Sequence, residues 1–213
     1  MKRMMIIGFF ALIVAMGCAK KAPEKKTETR ITSGRMVTTS TIEENKMKSV
    51  TVFSGNKARS ETSLTTSEGE KKVVQVWIGR RVFSWVVGNK SGQTMSAPKN
   101  WVEMMTAFGR DSKIQKSAKN MGTDEIAGLK CDVFLIENPR EKEKLWFYEN
   151  PQFPILLKSI SYLPRESQTT TEEISFNIDV PESSFDVPKD IDFEEVDWEI
   201  TEKPKKNETS STK

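Results

Sequence analysis

KKVVQVWI-GR-RVFSWVV, residues 71–87, is the stretch whose reading decides the fold of this chain. Two runs rich in Val, Ile, Phe and Trp, the side chains that fit a pleated half-buried surface, flank the two-residue break Gly79-Arg80. That arrangement predicts an antiparallel hairpin. Outward from it the same grammar repeats. Residues 30–40 are rich in Thr and Val, and 47–53 place Val50 and Val52 on one face. Ser54-Gly55-Asn56 turns the chain into 58–64, and Ser67-Glu68-Gly69 turns it again. Further strand-like segments cover 123–126, 129–137, 143–149 (EKLWFYE), 155–163 and 171–180. In the last of these Ile174, Phe176, Ile178 and Val180 alternate with Glu173, Ser175, Asn177 and Asp179, a period of two that means one wet face and one buried face. About ten such strands at near-regular spacing predict a mainly β fold, an antiparallel meander forming a curved sheet or unclosed β-barrel.

One interruption is helical. Pro98 suits a first helical turn, Trp101, Met104, Met105 and Phe108 recur at i, i+3, i+4 and i+7, and Gly109 is a stop. A helix with that apolar stripe, inserted midway through a meander, is suited to lie as a lid over the mouth of a curved sheet, and methionine adapts to varied partners. The same stripe would equally complete a core.

The chain opens with Met1-Lys2-Arg3, an apolar run from Met4 to Met16, then Gly17-Cys18. Two basic residues, a short hydrophobic core and a small residue before a break are the layout of a cleaved export signal, and the run is shorter than the ~20 residues that span a bilayer. Residues 1–17 are therefore expected to be a signal peptide. Residues 18–29 would be a charged, flexible tether, 30–200 the folded domain and 201–213 a disordered tail.

Composition narrows the chemistry. The chain has no histidine, which removes Ser-His-Asp and Cys-His nucleophilic systems, His-based zinc sites and the commonest general base near neutral pH. Loss of Lys2 and Arg3 with the leader brings the formal charge from +3 to +1, and no basic run is interleaved with aromatics, so no nucleic-acid partner is expected. The adjacent carboxylates Glu172-Glu173 and Glu194-Glu195 should point to opposite faces of a strand and share no substrate. The chain is expected not to be an enzyme and to need no metal or cofactor. Cys131, in an alternating apolar segment, reads as a small buried hydrophobe.

Two resemblances add to this reading. Ala15-Met16-Gly17-Cys18 resembles the lipobox of bacterial lipoproteins, with Met16 and Ala15 as unusual occupants of their positions. That likeness implies a diacylglycerol thioether on Cys18, commonly with a third chain such as palmitate, hence a permanent membrane anchor. Ala19, where retained lipoproteins carry Asp, points to the outer membrane, facing the periplasm.

The domain resembles the outer-membrane lipoprotein-sorting superfamily, with its periplasmic carrier and anchored receptor branches. The likeness rests on Met47 to Phe53 leading into Asn56-Lys57-Ala58-Arg59-Ser60-Glu61, and on the hairpin around Gly79. It rests also on Glu125, Gly128 and Cys131 in an "E-x-x-G-x-x-C" stretch, on Leu145-Trp146-Phe147 followed by Phe153-Pro154-Ile155, and on the closing Phe185-Asp186-Val187-Pro188. The resemblance implies an unclosed barrel that shelters acyl chains of lipid or lipoprotein, with another lipoprotein or envelope protein as a further partner. Candidate cavity residues are Trp77, Phe83, Trp85, Trp101, Met104, Met105, Phe108, Trp146, Phe147 and Phe176. Leu64 matches by position the exposed apolar loop residue of the receptor branch, and ordinary strand-end packing is its other reading. Set against a ligand-binding cup is an interaction or structural module whose cavity is filled by its own helix.

Overall fold

The computed structural model describes residues 30–43, 45–66, 69–110, 118–150, 153–163 and 165–197. The expectations for the leader, Cys18, the tether and the tail lie outside these residues. Twelve strands form one sheet: β1 (Ser33–Ile42), β2 (Asn45–Ser54), β3 (Lys57–Thr66), β4 (Gly69–Ile78), β5 (Arg81–Val86), β6 (Ser91–Ser96), β7 (Lys119–Ile126), β8 (Leu129–Asn138), β9 (Glu141–Tyr148), β10 (Ile155–Leu163), β11 (Ser167–Phe176) and β12 (Asp192–Glu195). Among the described residues one α-helix, α1 (Trp101–Arg110), sits between β6 and β7. The spatial order is β12-β6-β5-β4-β3-β2-β1-β11-β10-β9-β8-β7, antiparallel throughout except where β12 lies parallel to β6. The chain thus builds one wing from β1 to β6 and a second from β7 to β10, and β11 closes back onto β1.

Laid flat, twelve strands would span roughly 50 Å at about 4.8 Å per spacing. Instead Met36, Phe53, Ala58, Trp77 and Val82 of the first wing meet Cys131, Val133, Trp146, Ile155 and Leu157 of the second in one cluster that also contains Trp101 of α1. Only a strongly curved sheet brings them together. The two end strands, β12 and β7, do not pair with each other, so the barrel is open. The wings touch narrowly. β10 and β11 pair only from Lys158↔Thr170 to Ser161↔Ser167, with bulges at Leu156/Lys158 in β10 and opposite Val37/Thr38 in β11. Bulges of this kind bend a strand and sharpen its twist.

Local chemistry accounts for the elements. The central hairpin forms as read, with Ile78↔Arg81 closing the pair and Gly79 at φ 61°, a conformation natural to glycine. Gly34 answers a different need. It stands opposite Phe53, and a Cβ there would fall 2.6 Å from the Phe53 ring and from the Ser175 carbonyl oxygen. Glycine lets the ring lie on β1.

Several expectations are corrected. Two strands escape the sequence pattern. β6 (SGQTMS) is polar and lacks alternation, and β12 is four residues long. The strand read at 171–180 starts earlier and stops at Phe176, because Asn177 adopts φ 53° and donates its backbone N–H to the Ser33 carbonyl. Pro98 lies ahead of the helix. Asn100 caps it instead, its side-chain oxygen accepting from the Glu103 N–H at 3.0 Å while the Glu103 carboxylate accepts from the Asn100 N–H at 3.0 Å, a reciprocal capping box. Glu172 and Glu173 do not diverge. The bulge aims both at neighbours on β1 and β2, with Glu173 paired to Arg35 at 2.9 Å and Glu172 to Thr39 and Lys48.

The convex side of the first wing is covered by the chain's last described stretch. Phe185, in a 3-10 turn (Glu182–Phe185), is buried against Val74, Val76 and Trp85. Val180, Val187, Ile191 and Phe193 pack beside them, which explains the Phe-x-Val-Pro motif as a clasp on the sheet.

Candidate functional site

The interior of the open barrel is an aromatic wall crossed by one helix. Trp101 of α1 stacks on Phe53 at 5.0 Å between ring centroids, Phe53 on Phe153 at 5.3 Å, Phe153 meets Phe176 edge-on at 5.8 Å, and Phe176 stacks on Tyr148 at 5.9 Å. This continuous path runs from the helix to the far end of β9. The entry to α1 is pinned by the Ala97 N–H donating to the Arg80 carbonyl at 2.8 Å and by Arg80 Nε donating to the Ala97 carbonyl at 2.9 Å. The hairpin turn thereby positions the helix. On α1, Trp101 and Thr106 are buried, while Val102, Met104 and Met105 are half-buried against the core. The helix lies on β10.

Of the ten candidate cavity residues, Trp77, Trp101, Met104, Met105, Trp146 and Phe176 gather at this interior. Phe83 and Trp85 do not. Trp77 pairs with Val82, so the neighbouring Phe83 and Trp85 project from the other side of the sheet, where both meet Phe193 edge-on at 5.4 and 6.0 Å. Arg59 sits over Trp85 and Arg81 over Phe83. Phe147 also points away, packing with Phe134, Leu145 and Leu156 in a third cluster. The side chain of Phe108 lies outside the described residues. Leu64 is half-buried, opposite Met47 and Lys71.

Sequence reasoning passed over Phe53, Phe153 and Tyr148. Val50 and Val52 carry the alternation on β2, but Val52 packs on the convex side and Phe53 faces inward. The signal for Phe53 was Gly34, legible only once the register is known. Cys131 is fully buried, and burial pushes its thiol up to about 11, which disfavours the thiolate that a nucleophile needs.

A polar cluster meets the interior at Trp146. The Trp146 indole N–H donates to the Asp124 carboxylate at 2.9 Å, and that bond is the main reason the Asp124 carboxyl lies below its ordinary range. The ammonium groups of Lys144 and Lys158 approach the same ring to 4.8 and 4.7 Å from its centroid. Away from the helix a polar groove of about 720 Å³ runs along β4, β5, β6 and β12, lined by Ser84, Ser91, Gln93, Asp192 and Glu194 among others. Among the described residues no cluster of His, Cys, Asp and Glu is placed to hold a metal, and no helix is long and apolar enough to cross a membrane.

Fold and site together define an open antiparallel half-barrel with an apolar, helix-crossed interior. Its fold is shared by an uncharacterized conserved protein of Thermus thermophilus, with a TM-score of 0.52 at 10% identity over 78% of this chain and 91% of that one. Weaker likenesses are to MucB of Pseudomonas aeruginosa, solved with MucA (TM-score 0.38, 9% identity, 76% of this chain and 57% of that one), and to a DUF1329 family protein of Desulfovibrio piger (TM-score 0.33, 9% identity, 75% and 91%). No family model and no curated protein sequence matches the chain.

Proposed function

We propose that this chain is a non-catalytic cell-envelope lipoprotein, anchored by lipid on Cys18 at the periplasmic face of the outer membrane. Its half-barrel receives an acyl chain of a lipid or of another lipoprotein, in sorting or lipid transfer. The observation that carries the reading is the aromatic wall from Trp101 to Tyr148, crossed by a ten-residue helix whose Met104 and Met105 are only half-buried. A short helix resting on flexible methionines can shift without unravelling the sheet, and an acyl chain would exchange contact with one apolar surface for contact with another. Such a site binds by area, at roughly 25 cal/mol per Å², with little demand on the chain's identity.

A second reading has its own support. Phe53, Trp101 and Phe153 are each 8% exposed or less and stack on one another, so the helix also serves as a permanent plug. The barrel would then be a structural or protein-interaction module. Native mass spectrometry of the full chain carrying Cys18→Ser, with displacement of a fluorescent fatty acid, separates the two. The acyl-binding reading expects co-purifying lipid or saturable displacement, with uptake altered in Met104→Ala. No lipid, no displacement and a Met104→Ala variant changed only in stability would leave the plug. Cys18→Ser should also release the protein from the membrane fraction, and unchanged membrane association would overturn the anchor.

A further inference from the structure

Many cations on and beside this sheet have a carboxylate. Arg35 pairs with Glu173, Lys57 with Glu182, Arg59 and Lys72 with Glu61, Lys90 with Asp190 and Lys142 with Glu137. Lys144 and Lys158 share an aromatic partner instead. Both are half-buried, and neither has a carboxylate within ion-pair distance among the described residues. Both converge on one indole. The register explains how: Trp146 stands opposite Lys158 and Lys144 opposite Ile160, so two ammonium groups, an aromatic ring and an aliphatic side chain form a checkerboard across β9 and β10. The bulge at Leu156/Lys158 supplies the offset, sending Leu157 into the core and leaving Lys158 over the ring.

A ring face attracts a cation, worth about 0.5–1 kcal/mol at an exposed site, and snorkelling lysines commonly cover apolar surface. One cation per ring satisfies that explanation; the second adds like-charge repulsion. Asp124 offsets part of it, but its carboxylate is engaged by the Trp146 N–H and the Glu125 backbone N–H, and it lies beyond ion-pair reach of either lysine. Two positive charges are thus held on an oriented ring, short of one negative partner. The place matters as much as the charge. Ile160 packs against the core cluster and α1 rests on β10, so the pair stands where the apolar interior meets water. A groove of about 390 Å³ adjoins Ile160 and is lined also by Thr41, Ser167, Gln168, Glu43 and Glu166, so its far side is acidic and the cationic end is the one at Trp146.

We infer that Lys144 and Lys158, over the Trp146 ring, hold the anionic head group, carboxylate or phosphate, of a single-chain amphiphile whose hydrocarbon passes Ile160 toward α1. This deepens the acyl-binding reading and rests on it. The half-barrel would favour acidic amphiphiles by charge and accept their chains by area.

The test is isothermal titration of the full chain carrying Cys18→Ser with four probes: myristate, lysophosphatidylglycerol, the uncharged 1-monomyristoylglycerol, and inorganic phosphate. Wild type is expected to bind both acidic amphiphiles at least tenfold more tightly than the uncharged one. Phosphate alone should bind weakly. A hydrogen bond to a charged group accounts for about tenfold in affinity, so Lys144→Gln/Lys158→Gln should lose roughly 10- to 100-fold for the acidic probes and almost nothing for monomyristoylglycerol. Lys144→Arg/Lys158→Arg should restore the preference. Equal binding of charged and uncharged probes by wild type, or equal loss of both in the double Gln variant, overturns the head-group site while leaving acyl binding intact. Binding of phosphate as tight as that of the amphiphiles would make this a free-anion site and overturn the inference. Failure of every amphiphile to bind wild type sinks the acyl-binding reading itself, and this site with it.

Discussion

Trp101→Ala tests the packing on which the interior depends. Trp101 is 8% exposed, stacks on Phe53 at 5.0 Å, and is the most deeply inserted apolar side chain among those described on α1. A buried tryptophan removes up to about 250 Å² from water, and truncation to alanine forfeits about 150–200 Å² of that, or about 4–5 kcal/mol at ~25 cal/mol per Å². Lost stacking adds up to about 1 kcal/mol, and partial collapse of the neighbouring methionines returns a similar amount. The Asn100–Glu103 capping box is untouched, so α1 should remain helical and the site should not collapse freely. The expected cost is about 4 kcal/mol, within the range of about 3–5 for Trp→Ala in a core. In urea, with a slope of about 2 kcal/mol per molar, the unfolding midpoint should fall by about 2 M. Trp101→Phe keeps a ring on Phe53 and should cost about half as much. A loss below about 1 kcal/mol for Trp101→Ala, with the slope unchanged, would refute the stack as the centre of the fold and show α1 to be a loosely held flap.

Two further outcomes follow from the same contacts. Gly34→Ala places a methyl group 2.6 Å from the Phe53 ring and from a backbone oxygen of β11, and the strands cannot part without losing pairing; thermal unfolding should report about 1–3 kcal/mol of destabilisation, and a neutral result would mean that β1 and β2 are not in this register. Burial raises the Cys131 thiol from its ordinary 9.0 to about 11, so the native state resists losing that proton. The stability this confers is complete below pH 9 and is lost as pH rises from 9 to 11, on the order of 1–3 kcal/mol. Wild type should therefore lose more stability across that window than Cys131→Ala does, and parallel curves would count against a buried thiol.

Much of the architecture is legible along the chain because strand signals are local. The hairpin of β4 and β5 and the α1 stripe each depend on side chains within a few residues of one another, whereas the Phe185 clasp is legible as a motif but finds its partners Val74, Val76 and Trp85 only in the fold. What fails to be legible fails for a physical reason. β6 has no alternation because its inward residues are largely polar, and its strand state is imposed by β5 on one side and β12 on the other. Asn177 ends β11 despite perfect period-two patterning, since the backbone bond to Ser33 outweighs it. Glu172 and Glu173 share a side because a bulge, a property of strand pairing, cancels the alternation.

By itself the sequence determined that this chain would form an antiparallel β meander interrupted by one amphipathic helix, because residue type and period decide those locally. It also determined which side chains were apolar enough to be buried. Only the tertiary structure decided which of them meet. Strand register sends Trp77 inward and Phe83 and Trp85 outward, though all three lie on one hairpin. The β9–β10 register and the bulge in β10 place two lysines on Trp146 at the edge of the interior, a juxtaposition of residues 144 and 158 that no local pattern encodes.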